Sequence, residues 1–168
     1  MGEHKSGLMK VINLWGAPGS GKSTLAARLF AEHKRKGERI ELVTEFAKGL
    51  VYAGDQHSLE NQLYIFAMQD RRLQRLVGKV DYVVTDSPLP FSIIYAKDRY
   101  AEPWFYDAVM GAFKDYHNVN YFLPLQWEFE AYGRLQQNEV EVREIDQKIR
   151  EFLTKQKIQY GIYGDIRL

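Results

Sequence analysis

At 168 residues, 45% hydrophobic and 27% charged, the chain is long enough for one domain with a sizeable core and too apolar for disorder. A formal net charge of +1 supplies no global attraction to nucleic acid or anionic membrane, although local basic patches stay open. The absence of cysteine excludes disulfides and thiolate metal sites.

The N-terminal MGEHKSGLMK holds no apolar core of the kind a secretory leader needs, and the expectation is a cytoplasmic protein, in the host cytoplasm if the gene is viral. Gly2 and Ser6 fit the loose N-myristoylation pattern, which is read here as coincidence. Residues 1–9 are expected to be flexible. No run approaches the length of about twenty apolar residues that spans a bilayer, so no membrane partner is expected. No repeat or Pro/Gly-rich linker divides the sequence, and 1–168 reads as a single domain.

KVINLW (Lys10–Trp15) is a short apolar strand that ends at a glycine loop. KSTLAARLFAEHKRKG follows as a helix with Leu25, Leu29 and Phe30 on one face and Gly37 as its stop. RIELVTE is the second strand. SLENQLYIFAMQDRRLQRLVG predicts one helix with Ser58 as N-cap, Gly78 as stop, and a stripe of Leu59, Leu63, Phe66, Leu73 and Val77. DYVVTDSP is the third strand, ended by Pro88, and another helix is expected from Pro103. NVNYFLP is the fourth strand. A polar segment around Tyr132–Glu139 precedes a helix carrying Val142, Ile145, Ile149 and Phe152, and IQYGIYG is the fifth strand. Strands alternating with helices predict an α/β fold whose parallel sheet is covered on both faces.

GAPGSGKST (Gly16–Thr24) fits G-x-x-x-x-G-K-[ST] with Gly16, Gly21, Lys22 and Ser23 in the fixed positions. A loop that wraps a polyphosphate must turn many backbone N–H groups inward, which side chains would obstruct. The expected nucleotide-binding set is Gly16, Ala17, Pro18, Gly19, Ser20, Gly21, Lys22, Ser23 and Thr24. Lys22 supplies charge for the β- and γ-phosphates, Ser23 a hydroxyl for Mg²⁺, and the following helix its N-terminal amides. The expected cofactors are ATP, or another nucleoside triphosphate, and Mg²⁺.

A second metal-binding acid is expected at the end of a neighbouring strand, where Asp86 stands. A GTPase switch would need Asp-x-x-Gly there, but Leu89 occupies the glycine's place, and no Asn-Lys-x-Asp reads guanine. The Ser-Gly-Gly-Gln of an ABC ATPase is absent too. AAA+ and RecA-like motors are longer. A small kinase is the most economical reading.

GAPGSGKSTLA, VTEFAKGL, NQLYIFAMQDRR and VVTDSPLPFSIIYA resemble the small P-loop nucleoside and nucleotide kinases, in particular the NadR-like kinase/AAA_28 branch of bacteria and phages. The resemblance runs from about Val11 to Gly164. It implies a three-layer P-loop kinase fold with a five-stranded parallel sheet of order 2-3-1-4-5, donor and acceptor meeting at the strands' C-terminal ends. It names no single acceptor.

On the acceptor side, Glu45 follows the second strand, where related deoxynucleoside kinases place a base; its alternative role is a helix N-terminal glutamate. Asp86 competes for the base role. Arg71 and Arg72 lie on a helix that flanks the acceptor pocket in such kinases and could grip a phosphate, or belong to a solvated basic face with Arg75. Tyr64, Phe66 and Phe91 could stack on a base or fill the core. The segment 126–142 has the place and character of a kinase lid, with Arg134 and then Arg143 as the arginines that would close on the transferring group, or else pair with nearby glutamates. His57 and His117 have no partner at metal-ligand spacing.

The leading expectation is an ATP/Mg²⁺-dependent phosphotransferase acting on a hydroxyl or phosphate of a nucleoside, nucleotide or nucleobase. Within that class stands a phage kinase that phosphorylates 5-hydroxymethyluracil in DNA, which makes DNA a possible acceptor. Outside it stand a nucleotide-hydrolysing module working through a partner protein and a binding protein that has lost catalysis, the latter disfavoured by the intact Lys22, Ser23 and Asp86.

Overall fold

The computed structural model describes residues 9–125 and 138–163. β1 (Lys10–Trp15) leads through the glycine loop into α1 (Lys22–Arg35), then β2 (Ile40–Val43) and three consecutive helices, α2 (Phe46–Ala53), α3 (Gln56–Glu60) and α4 (Gln62–Gln74). β3 (Tyr82–Thr85) is followed by α5 (Phe91–Ile94), a 3-10 turn (Asp98–Ala101) and α6 (Pro103–Lys114). β4 (His117–Phe122), α7 (Glu139–Lys155) and β5 (Gly161–Ile162) complete the described elements. The sheet order is β2-β3-β1-β4-β5 with every pair parallel, the order that the family resemblance implied.

Alternation along β1 sorts the two faces. Val11 and Trp15 join a cluster with Leu73 of α4, Phe105, Val109 and Phe113 of α6, and Val142, Ile149 and Leu153 of α7. Ile12 and Leu14 point the other way, onto Leu25, Ala26 and Leu29 of α1. A parallel strand buried on both faces reads as a continuous apolar run, which is why β1 is legible. α1 stops where expected, with Gly37 at φ 79 and His33, Lys34 and Arg35 in the last turn, where cations complement the helix dipole. Among the described residues no helix is long and apolar enough to cross a membrane.

One polar strip interrupts the first face. Asn13 Nδ2 donates to Asn118 Oδ1 at 2.8 Å and Asn120 Oδ1 at 3.2 Å, and Trp15 Nε1 donates to the same Asn120 oxygen at 3.0 Å. Asn120 Nδ2 donates onward to the Gln159 carbonyl at 3.2 Å, tying the approach to β5 into the sheet. Asn120→Ala would leave the fully buried Trp15 N–H without its acceptor. The expected loss is about 2 kcal/mol of stability, or roughly 5 °C in Tm, read by thermal and urea denaturation.

Three sequence expectations need correction. The single helix over 58–78 is two, because Asn61 breaks it: its side chain accepts from Tyr64 N and caps α4, while Asp55 caps α3 by accepting from Ser58 N, so Ser58 is not the cap. Leu63 and Val77, placed on the apolar stripe, are 39% and 50% exposed, whereas Leu59 and Leu73 are buried as expected. The fifth strand shrinks to Gly161–Ile162, an edge pair held by β4 alone.

Candidate active site

The glycine loop sits at the C-terminal end of β1, the central strand, between the ends of β3 and β4. Gly16 has φ 150, and a Cβ there would lie 2.5 Å from Ser20 Oγ and 2.6 Å from the Leu123 carbonyl. The second contact is with backbone that is itself anchored by Leu123 N donating to the Trp15 carbonyl at 2.8 Å, so it cannot easily yield. Gly16→Ala is therefore expected to open the loop and weaken binding of a fluorescent ATP analogue by about tenfold or more, with a lowered Tm. Gly21, at φ 89, is the N-cap of α1; no side chain caps that helix and no acid stands in its first turn, so its amides and dipole face the loop. Lys22 Nζ donates to the Ala17 carbonyl at 2.9 Å and lies 5.8 Å from the Phe91 ring. Ser20 Oγ is buried beside Gly16 with no hydrogen-bond partner among the described residues.

Two acids meet this loop. Asp86, 4% exposed at the end of β3, accepts from Ser23 Oγ at 2.5 Å through Oδ2 and from the Glu45 backbone N–H at 3.0 Å through Oδ1. One carboxylate thereby joins the glycine-loop helix to the turn after β2. Glu45 occupies the N-cap position of α2, but its side chain makes no capping bond. The Phe46 N–H that begins that helix is satisfied instead by Gln69 Oε1 at 3.0 Å. Burial holds the Glu45 carboxyl above the ordinary glutamate range; Lys22 opposes the shift, the neighbouring Asp86 charge adds to it, and Lys48 opposes it. The Tyr95 phenol is pushed up by burial and, second, by the Glu45 charge, which places Tyr95 beside the same acid.

Ser23 Oγ and Asp86 Oδ2 are hard oxygen donors side by side, the donor type magnesium takes, and among the described residues no cluster of three or more His, Cys, Asp or Glu forms a closed metal cage. Two such oxygens suit an ion held by one or two protein groups, with the rest of its shell from water and phosphate.

The other expected residues are placed as follows. Phe91 is 8% exposed, edge-on to Trp15 at 5.5 Å, and its ring belongs to the core rather than offering a face for stacking. Tyr64 is 39% exposed and packs edge-on against Phe46 at 5.3 Å. Arg71 is exposed, whereas Arg72 turns inward to donate to the Thr44 carbonyl at 3.0 Å with its guanidinium 5.1 Å from the Phe46 ring. Arg143 is exposed on α7 and pairs with Glu139 one turn earlier, the bland arrangement for a helix surface arginine. Arg134, with most of the lid-like segment, lies outside the described residues. His57 and His117 are both exposed.

The sequence reading missed Gln69, Lys48 and Tyr95. For Gln69 a signal existed: it stands three residues after Phe66 and four before Leu73, a polar residue on the buried stripe of α4. For Tyr95 none existed, since its partner is fifty positions away in the chain.

The AAA_28 family of AAA domains matches residues 11–166. No curated protein matches the chain. Among solved structures, deoxyadenosine kinase from M. mycoides, with dCMP and dCDP bound, is similar at a TM-score of 0.57 and 16% identity, over 91% of this chain and 88% of that one. Thymidylate kinase from Ehrlichia chaffeensis is similar at 0.59 and 15% identity, over 93% of each chain. The chain belongs to the AAA_28 family, and its fold is that of a P-loop kinase.

Proposed function

We propose that this protein transfers the γ-phosphoryl group of ATP to a hydroxyl or phosphate oxygen of a nucleoside, nucleotide or nucleobase. The observation that carries the reading is the bond from Glu45 N–H to Asp86 Oδ1, which holds one acid against the glycine-loop helix and a second, uncapped one beside it. A switch or motor needs only the first. The structural likeness to deoxyadenosine and thymidylate kinases supports acceptors of nucleoside type.

In this mechanism the loop amides, the α1 N-terminus and Lys22 hold the β- and γ-phosphates and stabilise charge that develops on them. Ser23 Oγ and Asp86 would hold a magnesium ion, which would supply further charge neutralisation. Glu45 orients an acceptor hydroxyl and takes its proton as the new O–P bond forms and the β–γ bridging P–O bond breaks, releasing ADP. Raising the pKa of Glu45 by burial suits it to that task, because a more basic carboxylate is a better proton acceptor.

The test is transfer of label from γ-labelled ATP to a panel of nucleosides, nucleoside monophosphates, nicotinamide riboside, plain DNA and DNA carrying 5-hydroxymethyluracil. Label on one of the small acceptors supports the reading, and label on modified DNA alone assigns a DNA kinase. Label released only as free phosphate under every condition refutes transfer and points to hydrolysis coupled to a partner.

A further inference from the structure

We infer that Gln69 and Arg72 of α4 form a clamp that positions Glu45, making them positioning residues for the transfer and not part of an acceptor-phosphate site. The inference rests on the kinase reading above. Glu45 and Thr44 are the two residues between β2 and α2, and Phe46 opens α2. Four hydrogen bonds tie the backbone of Thr44, Glu45 and Phe46 to α4 and Asp86. The Thr44 carbonyl accepts from Arg72 at 3.0 Å and from Gln69 Nε2 at 3.4 Å. The Phe46 N–H donates to Gln69 Oε1 at 3.0 Å, and the Glu45 N–H donates to Asp86 Oδ1 at 3.0 Å.

Gln69 is 3% exposed and reaches across the gap between strands. The same Nε2 that faces Thr44 also faces Thr85 Oγ1 and the Ser87 carbonyl, at 3.4 Å each. One amide therefore spans the turns on both sides of the catalytic cleft, the one bearing Glu45 and the one bearing Asp86. Its polarity is fixed by its partners: the oxygen must meet an N–H, and the nitrogen must meet two carbonyls and a hydroxyl. Arg72 adds a second grip, with its guanidinium 5.1 Å from the Phe46 ring while Tyr64 closes the ring's edge at 5.3 Å. Of the two arginines that the sequence offered for an acceptor phosphate, Arg72 is thus engaged in holding the backbone behind Glu45. Loosening this clamp lets the Glu45 carboxylate drift, and misplacement by about 1 Å is enough to slow a reaction by roughly a hundredfold.

The test is a set of double-mutant cycles with Glu45→Gln, using Arg72→Met and Gln69→Leu. Deoxyadenosine and dTMP are the first acceptor probes, followed by whichever panel member accepts phosphate. The expected result is a fall in kcat of about tenfold for Arg72→Met and tenfold to a hundredfold for Gln69→Leu, with acceptor KM within twofold of wild type. In the Glu45→Gln background neither change should lower kcat by more than about twofold, because the group they position is gone. A purely structural role would lower kcat equally in both backgrounds. Losses that multiply, or a tenfold rise in acceptor KM on Arg72→Met, overturn the inference. Arg72 is partly exposed, so its variant reports even if Gln69→Leu fails to fold. A wild-type chain that transfers phosphate to nothing refutes the kinase reading and this one together; transfer that is insensitive to both variants refutes the clamp alone.

Discussion

Lys22→Ala is expected to lower kcat for phosphoryl transfer by about a thousandfold while leaving the fold intact, measured by label transfer alongside circular dichroism. The size follows from removing a preorganised cation from a site where charge develops in a low-dielectric surrounding. Lys22 is only partly buried at the first position of α1, with its amine donating to the Ala17 carbonyl of the loop, so its truncation removes no side chain from the core. The substitution has a second, independent consequence. Lys22 is the largest influence that opposes the raised pKa of Glu45, so its loss should push that carboxyl further up. The residual activity of Lys22→Ala is therefore expected to show an acid limb at higher pH than wild type. An unchanged limb would mean that Glu45 does not govern the pH profile.

Glu45→Gln is expected to act in opposite directions on activity and stability. Transfer should slow by about a hundredfold or more if Glu45 takes the acceptor proton, while affinity for an ATP analogue is retained. Unchanged transfer would move the base role to Asp86. Stability should rise. Burial lifts the folded-state pKa of Glu45 above its unfolded value, so between the two values the folded state holds the proton more tightly. Stability is then full below the unfolded value, about pH 4.3, and falls as pH rises through the folded value. Gln carries no charge to bury and its side chain forfeits no capping bond, since Glu45 makes none. In metal-free buffer the variant should melt above wild type at neutral pH, with the gap closing as the pH falls below about 4.3. A variant that melts lower at pH 7 would show that the carboxylate is stabilised by its surroundings instead.

The parts of this molecule that the sequence made legible are those with local causes. The glycine loop is defined by a contiguous pattern, and β1, β3 and β4 by short runs of apolar or β-favouring residues. Asp86 could be placed because a strand leads directly to it. The three helices between β2 and β3 were harder. α2 is eight residues long with none of them buried, too short a run for the helical period to separate it from the strand before it. Asn61 breaks the longer helix by capping, in a place where a mid-helix asparagine reads as tolerable. The acceptor side resisted for a different reason. Whether Arg72 faces solvent, a ligand or the protein's own backbone depends on where Thr44 comes to rest, 28 positions away. Gln69 likewise gains its meaning from bonds that span 16 to 25 positions. Chain-distant contacts of that kind carry no periodic signature.

The asparagine strip between β1 and β4 bears on which alignments the sheet can adopt. Side chains alternate across a strand, so sliding β4 by one residue would turn Asn118 and Asn120 toward α1 and offer Val119 and Tyr121 to Asn13 and Trp15. The amides would then be buried among Leu25 and Leu29 without partners, and the indole N–H would face hydrocarbon. Apolar strands alone discriminate weakly between neighbouring alignments; these amides penalise the wrong one sharply. The alignment they select also sets the Leu123 carbonyl against Gly16, in the space a Cβ would need. Slippage at the strand would thus be transmitted straight into the loop, and the strip acts as a register lock on the glycine loop.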